Sequence, residues 1–146
     1  MIGRPTALAL ALAFVAGGLL FVPGRHSNGG VAQGPARAVP LRVGIVFDVG
    51  GRGDKSFNDA AYAGSERAVR ELGADVAYLE PSGAEDREAG LRLFAARGYD
   101  LVIAVGFIFS PDVDVVARAH PNVHFACIDY FPGRDGVPPT LAALAF

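Results

Sequence analysis

The sequence predicts an α/β fold in which a parallel sheet carries helices on both faces. Apolar runs of strand length alternate with longer segments whose apolar residues recur at helical spacing, in the order β-α-β-α-β-α-β. A glycine-rich turn follows the first apolar run, as is common where a buried strand leads into a helix. Strand–helix–strand units of this kind build parallel sheets by right-handed crossovers.

Residues before this pattern are expected to lie outside the fold. After Arg4, an apolar run of 17 residues without a charge extends from Thr6 to Val22. We therefore expect residues 1–22 to be a secretory signal peptide or an uncleaved anchor in the plasma membrane. Residues 23–40, rich in Gly and Pro, are expected to be a flexible linker. No cysteine follows the run, so the sequence predicts a periplasmic or extracytoplasmic protein that is not a lipoprotein.

The strands are predicted from apolar runs bounded by turn signals. The first run is continuously apolar, which suits a strand that is buried on both faces. The later runs are short and lie between glycine, proline and polar residues. The predicted strands are Leu41–Phe47, Ala74–Leu79, Leu101–Val105, Val123–Ile128 and a fifth that begins at Thr140 and ends by Phe146.

Three helices are predicted between the strands, over 56–72, 85–98 and 111–119. The first begins at Ser56, with Ser56 or Asp54 as its N-cap, and ends at Gly73, a residue suited to a left-handed C-cap. The third follows Ser110, which is expected to be its N-cap because a proline at the first helical position comes next.

Charge and cysteine content exclude several classes of protein. Formal net charge is −2, and all 15 acidic residues follow position 47, so the folded part is acidic. No basic patch indicates binding to nucleic acid. The single cysteine, Cys127, rules out an intrachain disulfide and any multi-cysteine metal site, and its apolar neighbours favour a core position. His120 and His124 lack the spacing of a metal site, so neither metal nor cofactor is expected.

The segment 48–58 carries the densest set of candidate ligand groups. Asp48 ends a buried strand, where a carboxylate needs hydrogen-bond donors such as sugar hydroxyls or backbone amides. Phe57 suits either the core or stacking on a planar ligand. Asn58 can donate and accept at once, which suits a nucleobase edge or a hydroxyl. Open α/β sheets bind ligands at the carboxyl ends of their strands, which is where these residues are expected.

The ends of two further strands reach the same edge of the predicted sheet. Gly106 and Phe107 follow the third strand, and a glycine there allows the backbone to approach a ligand closely. Asp129 follows the fourth strand and supplies a second carboxylate, which packing alone does not explain. Paired carboxylates can catalyse reactions, but no nucleophile with an adjacent base accompanies them.

A dinucleotide-binding enzyme is the alternative from a different class. Gly51 and Gly53 match the first two glycines of the G-x-G-x-x-G fingerprint, but the third position is Ser56. Glu80 would be the acidic residue after the second strand, a little later than usual. Because the fingerprint is incomplete and no catalytic base is found, we expect a binding protein and not an enzyme.

From Asp48 to Asn58 the sequence resembles the basic membrane protein (BMP) family, which are substrate-binding proteins of ABC transporters that include purine nucleoside receptors. The core of this match is Asp-Lys-Ser-Phe-Asn. Further matches follow in order over Tyr99–Phe107 and His124–Asp129. The resemblance covers about residues 41–146.

The resemblance implies a type I periplasmic-binding-protein fold with ligand clamped between two lobes, of which 41–146 would be the first. It implies that Phe57 stacks on a purine, that Asn58 and Asp129 hydrogen-bond the base, and that Asp48 helps to hold the nucleoside. The implied partners are a small-molecule ligand and the permease and ATPase subunits of an ABC importer.

The chain stops inside an apolar run, and a bare parallel edge there would favour aggregation, so we expect the front part of a longer protein. Because one lobe stacks on only one side of a base, residues 39–146 alone are expected to bind nucleosides poorly. A membrane-anchored sensor of the same fold remains an alternative to transport.

Overall fold

The computed structural model of the protein describes residues 39–145. The expected signal or anchor and most of the expected linker lie outside these residues, as does Phe146. Among residues 39–145, no helix combines the length and apolar character needed to cross a bilayer. The described elements are β1 (Arg42–Val46), α1 (Phe57–Leu72), β2 (Asp75–Leu79), α2 (Glu85–Ala96), β3 (Leu101–Val105), a 3₁₀ turn (Phe107–Phe109), α3 (Ser110–Ala119), β4 (His124–Ile128) and β5 (Leu141–Leu144).

All five strands are parallel and form one sheet in the order β2-β1-β3-β4-β5. The predicted α/β class and parallel sheet are confirmed. From β1 the chain crosses to β2 on one side, then returns over β1 to β3 on its other side. The order therefore reverses between β1 and β3, which is the place where open α/β sheets form a ligand crevice.

Helices cover both faces of the sheet, as predicted. On one face, Val43 and Ile45 of β1 form a buried cluster against which Ala61 and Tyr62 of α1 pack. On the opposite face, residues of the sheet form a second cluster with α2 and α3. Its members include Val46, Val102, Phe125, Leu91, Phe94, Val113 and Val116. Alternate strand residues thus supply two different cores, because successive side chains point to opposite faces.

Three helix ends differ from the prediction, and one of them is the end of α2, which lies at Ala96 and not at residue 98. The first helix begins at Phe57, and Ser56 at its N-cap position makes no side-chain capping hydrogen bond. Ser110 is not an N-cap either, because α3 begins at Ser110 itself and its hydroxyl donates to the Phe107 carbonyl at 2.7 Å. The unpredicted 3₁₀ turn before α3 supplies that carbonyl. Gly73 ends α1 in the left-handed conformation with φ 66°, as predicted.

Candidate functional site

The candidate site lies at the carboxyl ends of three adjacent strands. Residues 48–58 follow β1, residues 106–107 follow β3, and residues 129–131 follow β4. We call these three segments the carboxyl-end rim. Because β1, β3 and β4 are neighbours in the sheet, the rim brings together the strand ends that the sequence singled out.

Asn58 organises the first rim segment from a buried position. Its side chain is 2% exposed, although it lies in the first turn of α1. Its Oδ1 accepts the backbone N–H of Asp48 at 3.1 Å, and its Nδ2 donates to the carbonyl of Gly51 at 3.0 Å. One amide therefore joins the end of β1 to the glycine-rich turn and holds both against the start of the helix.

Asp54, one of the two N-cap candidates that the sequence offered for α1, is the residue that caps the helix. Its carboxylate accepts the backbone N–H groups of Ser56, Asn58 and Asp59 at 2.8, 3.0 and 3.1 Å. Desolvation raises the pKa of Asp54, but these backbone donors outweigh it and hold the pKa below its ordinary value. The carboxylate at this position also complements the positive end of the helix dipole.

The hydrogen bonds of this turn disfavour the alternative of a bound dinucleotide. A pyrophosphate binds the free N–H groups at a helix N-terminus, but the Asp54 carboxylate already accepts two of them, from Asn58 and Asp59. Glu80, the residue that would hold a ribose, instead forms an ion pair with Arg52 at 2.7 Å. In this turn the Asp54 carboxylate therefore occupies the place at the helix N-terminus where a phosphate would bind.

Asp48 and Gly106 meet where β1 and β3 end. A Cβ atom added to Gly106 would lie 3.0 Å from Oδ2 of Asp48, and Gly106 has φ 109°, a conformation that favours glycine. Oδ1 of Asp48 accepts the N–H of Val49 at 2.5 Å. Glycine at 106 thus leaves room for the carboxylate, which is only partly buried.

Phe57 is exposed at the first position of α1. Its side chain is 44% exposed, so the core interpretation that the sequence allowed does not describe this ring. The structure therefore presents an aromatic surface directly beside Asn58, the residue that fixes the loop. An exposed ring at a strand-to-helix turn can stack on a planar group.

Asp129 is the second rim carboxylate and has an unusual backbone conformation. Its φ is 62°, in the left-handed region that non-glycine residues rarely adopt. Among residues 39–145, no hydrogen bond or ion pair engages its side chain. Left-handed non-glycine residues concentrate at binding sites, where the surrounding structure maintains them.

Phe131 is a rim residue that the sequence reasoning missed. Its ring is 62% exposed and lies edge-on to that of Phe107, which is 56% exposed, with 6.4 Å between centroids and an interplanar angle of 87°. The available signal was an aromatic residue two positions after Asp129, but the local sequence does not distinguish it from an ordinary loop residue.

Neither the single cysteine nor a metal-binding cluster adds a reactive group to the candidate site. Cys127 is buried, and desolvation together with the negative charges of Asp114 and Asp129 raises its pKa to about 12. Its thiol is a core group, as predicted, and is not poised to react. Within the described part of the chain, no three His, Cys, Asp or Glu side chains are grouped so that they could hold a metal ion.

Comparison with known proteins identifies the family. The model of the Bmp family, described as ABC transporter substrate-binding protein PnrA-like, matches residues 41–141. The chain belongs to the Bmp family. Family members are substrate-binding proteins of ABC transporters, so the predicted resemblance to this family is confirmed.

A solved structure supports the same assignment. An ABC transporter solute-binding protein from Aeropyrum pernix K1 is 39% identical and superposes with a TM-score of 0.68, covering 73% of this chain and 29% of that one. The periplasmic-binding-protein-like fold is therefore confirmed for this Bmp chain.

Two curated relatives are longer proteins that this chain matches over part of their length. An uncharacterized lipoprotein of Pyrococcus abyssi is 43% identical over 107 residues, which are 73% of this chain and 26% of the relative. The ABC transporter nucleoside-binding protein BmpA of Lactococcus lactis is 26% identical over 125 residues, covering 83% of this chain and 34% of the relative. The chain spans about a quarter to a third of the length of these relatives. The name of the Pyrococcus protein conflicts with the expectation that this protein is not a lipoprotein.

Proposed function

We propose that this protein is the extracytoplasmic subunit of an ABC importer and captures a purine nucleoside for delivery to the permease. The observation that carries the proposal is the exposed ring of Phe57 on a loop fixed by Asn58, at the same edge of the sheet as Asp48 and Asp129. A flat ring with hydroxyl and N–H donors complements an exposed aromatic side chain flanked by acceptors.

The charge of the rim favours a nucleoside over a nucleotide. Asp48 and Asp129 place two acidic side chains at this edge, and Asp54 occupies the helix terminus that would attract a phosphate. A phosphate brought to this edge would meet like charges, whereas ribose hydroxyls and base N–H groups would find acceptors. The name of the Lactococcus relative, a nucleoside-binding protein, supports the same class of ligand.

Each rim residue has a role in this proposal. Phe57 stacks on the base, Asp129 accepts an N–H from the base edge, and Asp48 accepts a ribose hydroxyl. Gly106 lets the backbone and the Asp48 carboxylate approach the ligand together, and Phe107 adds apolar surface. Asn58 acts chiefly by holding Asp48, and the second hydrogen on its Nδ2 is the group that it can offer to the base.

Residues 41–146 form the first lobe in this proposal, and the remainder of the ligand contacts come from a second lobe. Residues 1–22 direct the protein across the membrane or anchor it there, and residues 23–40 link that segment to the lobe. The permease and its ATPase are the proposed partners, and no cofactor takes part.

Calorimetry on the complete product of the gene tests the proposal. Inosine, guanosine and adenosine are titrated, with uridine and inosine monophosphate as comparisons. We expect saturable binding of purine nucleosides, weaker binding of the monophosphate, and a ligand-dependent rise in Tm without turnover of the nucleoside. Binding of an amino acid or a free sugar in preference to every nucleoside would overturn the ligand class.

A further inference from the structure

The two rim segments after β3 and β4 contain a pair of aromatic rings in contact. Phe107 and Phe131 follow different strands, yet their rings meet edge-on with centroids 6.4 Å apart. Both rings are more than half exposed, so burial of their own apolar surface does not explain their positions. Burial is the usual reason for a phenylalanine to be ordered, and here the order comes from the backbone beneath the rings.

Ser110 is the residue that joins the two segments. Its side chain is only 6% exposed. Its hydroxyl donates to the carbonyl of Phe107 at 2.7 Å and accepts the backbone N–H of Phe131 at 3.0 Å. One hydroxyl thus satisfies a backbone group of each aromatic residue and fixes the distance between the two segments.

A second buried contact secures the same segment. Tyr130 is almost fully buried, and its hydroxyl donates to Oδ1 of Asp114 on α3 at 2.6 Å. Asp129, immediately before it, is in the left-handed conformation. Tyr130 points into the core while Phe131 remains exposed, so the residue immediately before the exposed ring is anchored.

The geometry points to Phe131 as a further aromatic ligand contact at the rim, held beside Phe107 by Ser110 acting as a positioning residue. This inference rests on the proposed function and deepens it. Its ligand chemistry is a planar heterocycle with N–H donors, so that one face or edge meets the Phe107–Phe131 pair while an N–H reaches Asp129.

The carboxylate of Asp129 favours a heterocycle over an apolar protein surface as the partner of the Phe107–Phe131 pair. Asp129 lies two residues from Phe131, and its carboxylate is without a hydrogen-bond or ion-pair partner in residues 39–145. An apolar surface that covered both residues would bury that carboxylate without a donor, which costs free energy. A heterocycle with N–H groups covers the rings and supplies the donor.

Fluorescence offers a direct test, because the 146 residues contain no tryptophan and the signal of an introduced reporter is the difference from the unaltered protein. Phe131→Trp in the complete gene product introduces a reporter at this position, with Val137→Trp, in the same exposed loop, as the matched control. We expect inosine to quench the F131W reporter on binding and to leave the V137W reporter unchanged, while ribose quenches neither.

The positioning role of Ser110 is tested in the F131W background. Ser110→Ala should weaken inosine binding roughly five- to tenfold and should lower the quenching at saturation, an effect that mere loss of stability would not cause. Ser110→Thr keeps the hydroxyl and should restore both quantities. Calorimetry on Phe131→Ala, without a tryptophan, should show a similar loss of affinity.

The outcomes separate this inference from the function on which it rests. If the unaltered protein does not bind inosine or another nucleoside, both are overturned. If it binds inosine while the F131W reporter is not quenched and Phe131→Ala leaves Kd unchanged, only this inference is overturned. An Ser110→Ala variant with normal affinity and normal quenching would remove Ser110 from the site.

Discussion

The side chain of Asn58 holds the backbone N–H of Asp48 at 3.1 Å, ten residues earlier in the chain. Through this bond a buried amide on α1 sets where the first rim carboxylate lies. The same amide donates to the carbonyl of Gly51, so it ties the glycine-rich turn to the start of α1, in addition to the bond from the Gly51 N–H to the Asp48 carbonyl within the turn. The geometry of the candidate site therefore depends on a residue that solvent scarcely reaches.

Replacement of Asn58 by Ala should destabilise the protein by about 2 kcal/mol, since a partly buried N–H and a buried C=O both lose their partner. Nucleoside affinity should fall as well, because Asp48 is no longer held. Urea unfolding of the complete protein measures the first effect and calorimetry the second. Asn122→Ala, at an exposed position, is the control and should change stability by less than about 0.5 kcal/mol. Equal stabilities for the two variants would contradict the structural role of Asn58.

Replacement of Phe57 by Ala should have the opposite profile. Because its ring is exposed, stability should change little, whereas loss of base stacking should weaken nucleoside binding by about 1–3 kcal/mol. Phe57→Tyr retains an aromatic face and should bind nearly as well as the unaltered protein. Calorimetry and Tm, measured on the same samples, distinguish the two profiles. A large drop in Tm with unchanged affinity would assign Phe57 to the core.

The strands could be predicted because burial on both faces leaves a simple mark, a short apolar run between turn residues. The carboxyl-end rim followed from the topology, so Asp48, Gly106 and Asp129 could be placed at one edge without coordinates. Phe131 could not be placed, since nothing local in its sequence distinguishes an anchored exposed ring from a loop residue. Its position depends on a hydrogen bond to Ser110, which is 21 residues away.

The hydrogen-bond partners of the polar residues also could not be predicted from the sequence. Ser110 looked like an N-cap because proline follows it, but its hydroxyl bonds to Phe107 and Phe131 instead. Asp54 and Ser56 were equal candidates for the cap of α1, and the choice of Asp54 depends on how the turn closes. Local pattern predicts which residues can bond, whereas tertiary structure decides with which partner.

Gly44 should be intolerant of substitution for a reason of space. It lies in β1 facing α2, and a Cβ atom there would overlap the ring of Phe94. Gly44→Ala should therefore cost about 1–3 kcal/mol in the free energy of unfolding, measured with urea. Gly64→Ala is the matched control, because nothing lies near its added Cβ within α1 and helix propensity should raise stability by about 0.5–1 kcal/mol. Phe94→Leu should partly rescue Gly44→Ala. If Gly44→Ala destabilised the Phe94→Leu variant as much as it destabilises the unaltered protein, this explanation would be refuted.

Tyr130 should make the rim sensitive to alkaline pH. Burial, followed by the hydrogen bond to Asp114 and its negative charge, raises the pKa of Tyr130 from 10.0 to about 12. Since the folded state holds the proton more tightly than the unfolded state, this contribution to stability is complete below pH 10. It is lost as pH rises from there through about 12.

Tyr130→Phe should abolish that part of the pH dependence, whereas Tyr99→Phe should keep it. Urea unfolding at a series of alkaline pH values measures the difference. Because Tyr130 precedes Phe131, the affinity of the unaltered protein for adenosine, whose base has no N–H that ionises in this range, should fall over the same range, before the protein unfolds. A Tyr130→Phe variant that loses stability with pH as steeply as the unaltered protein would show that the Tyr130–Asp114 contact does not control this edge of the sheet.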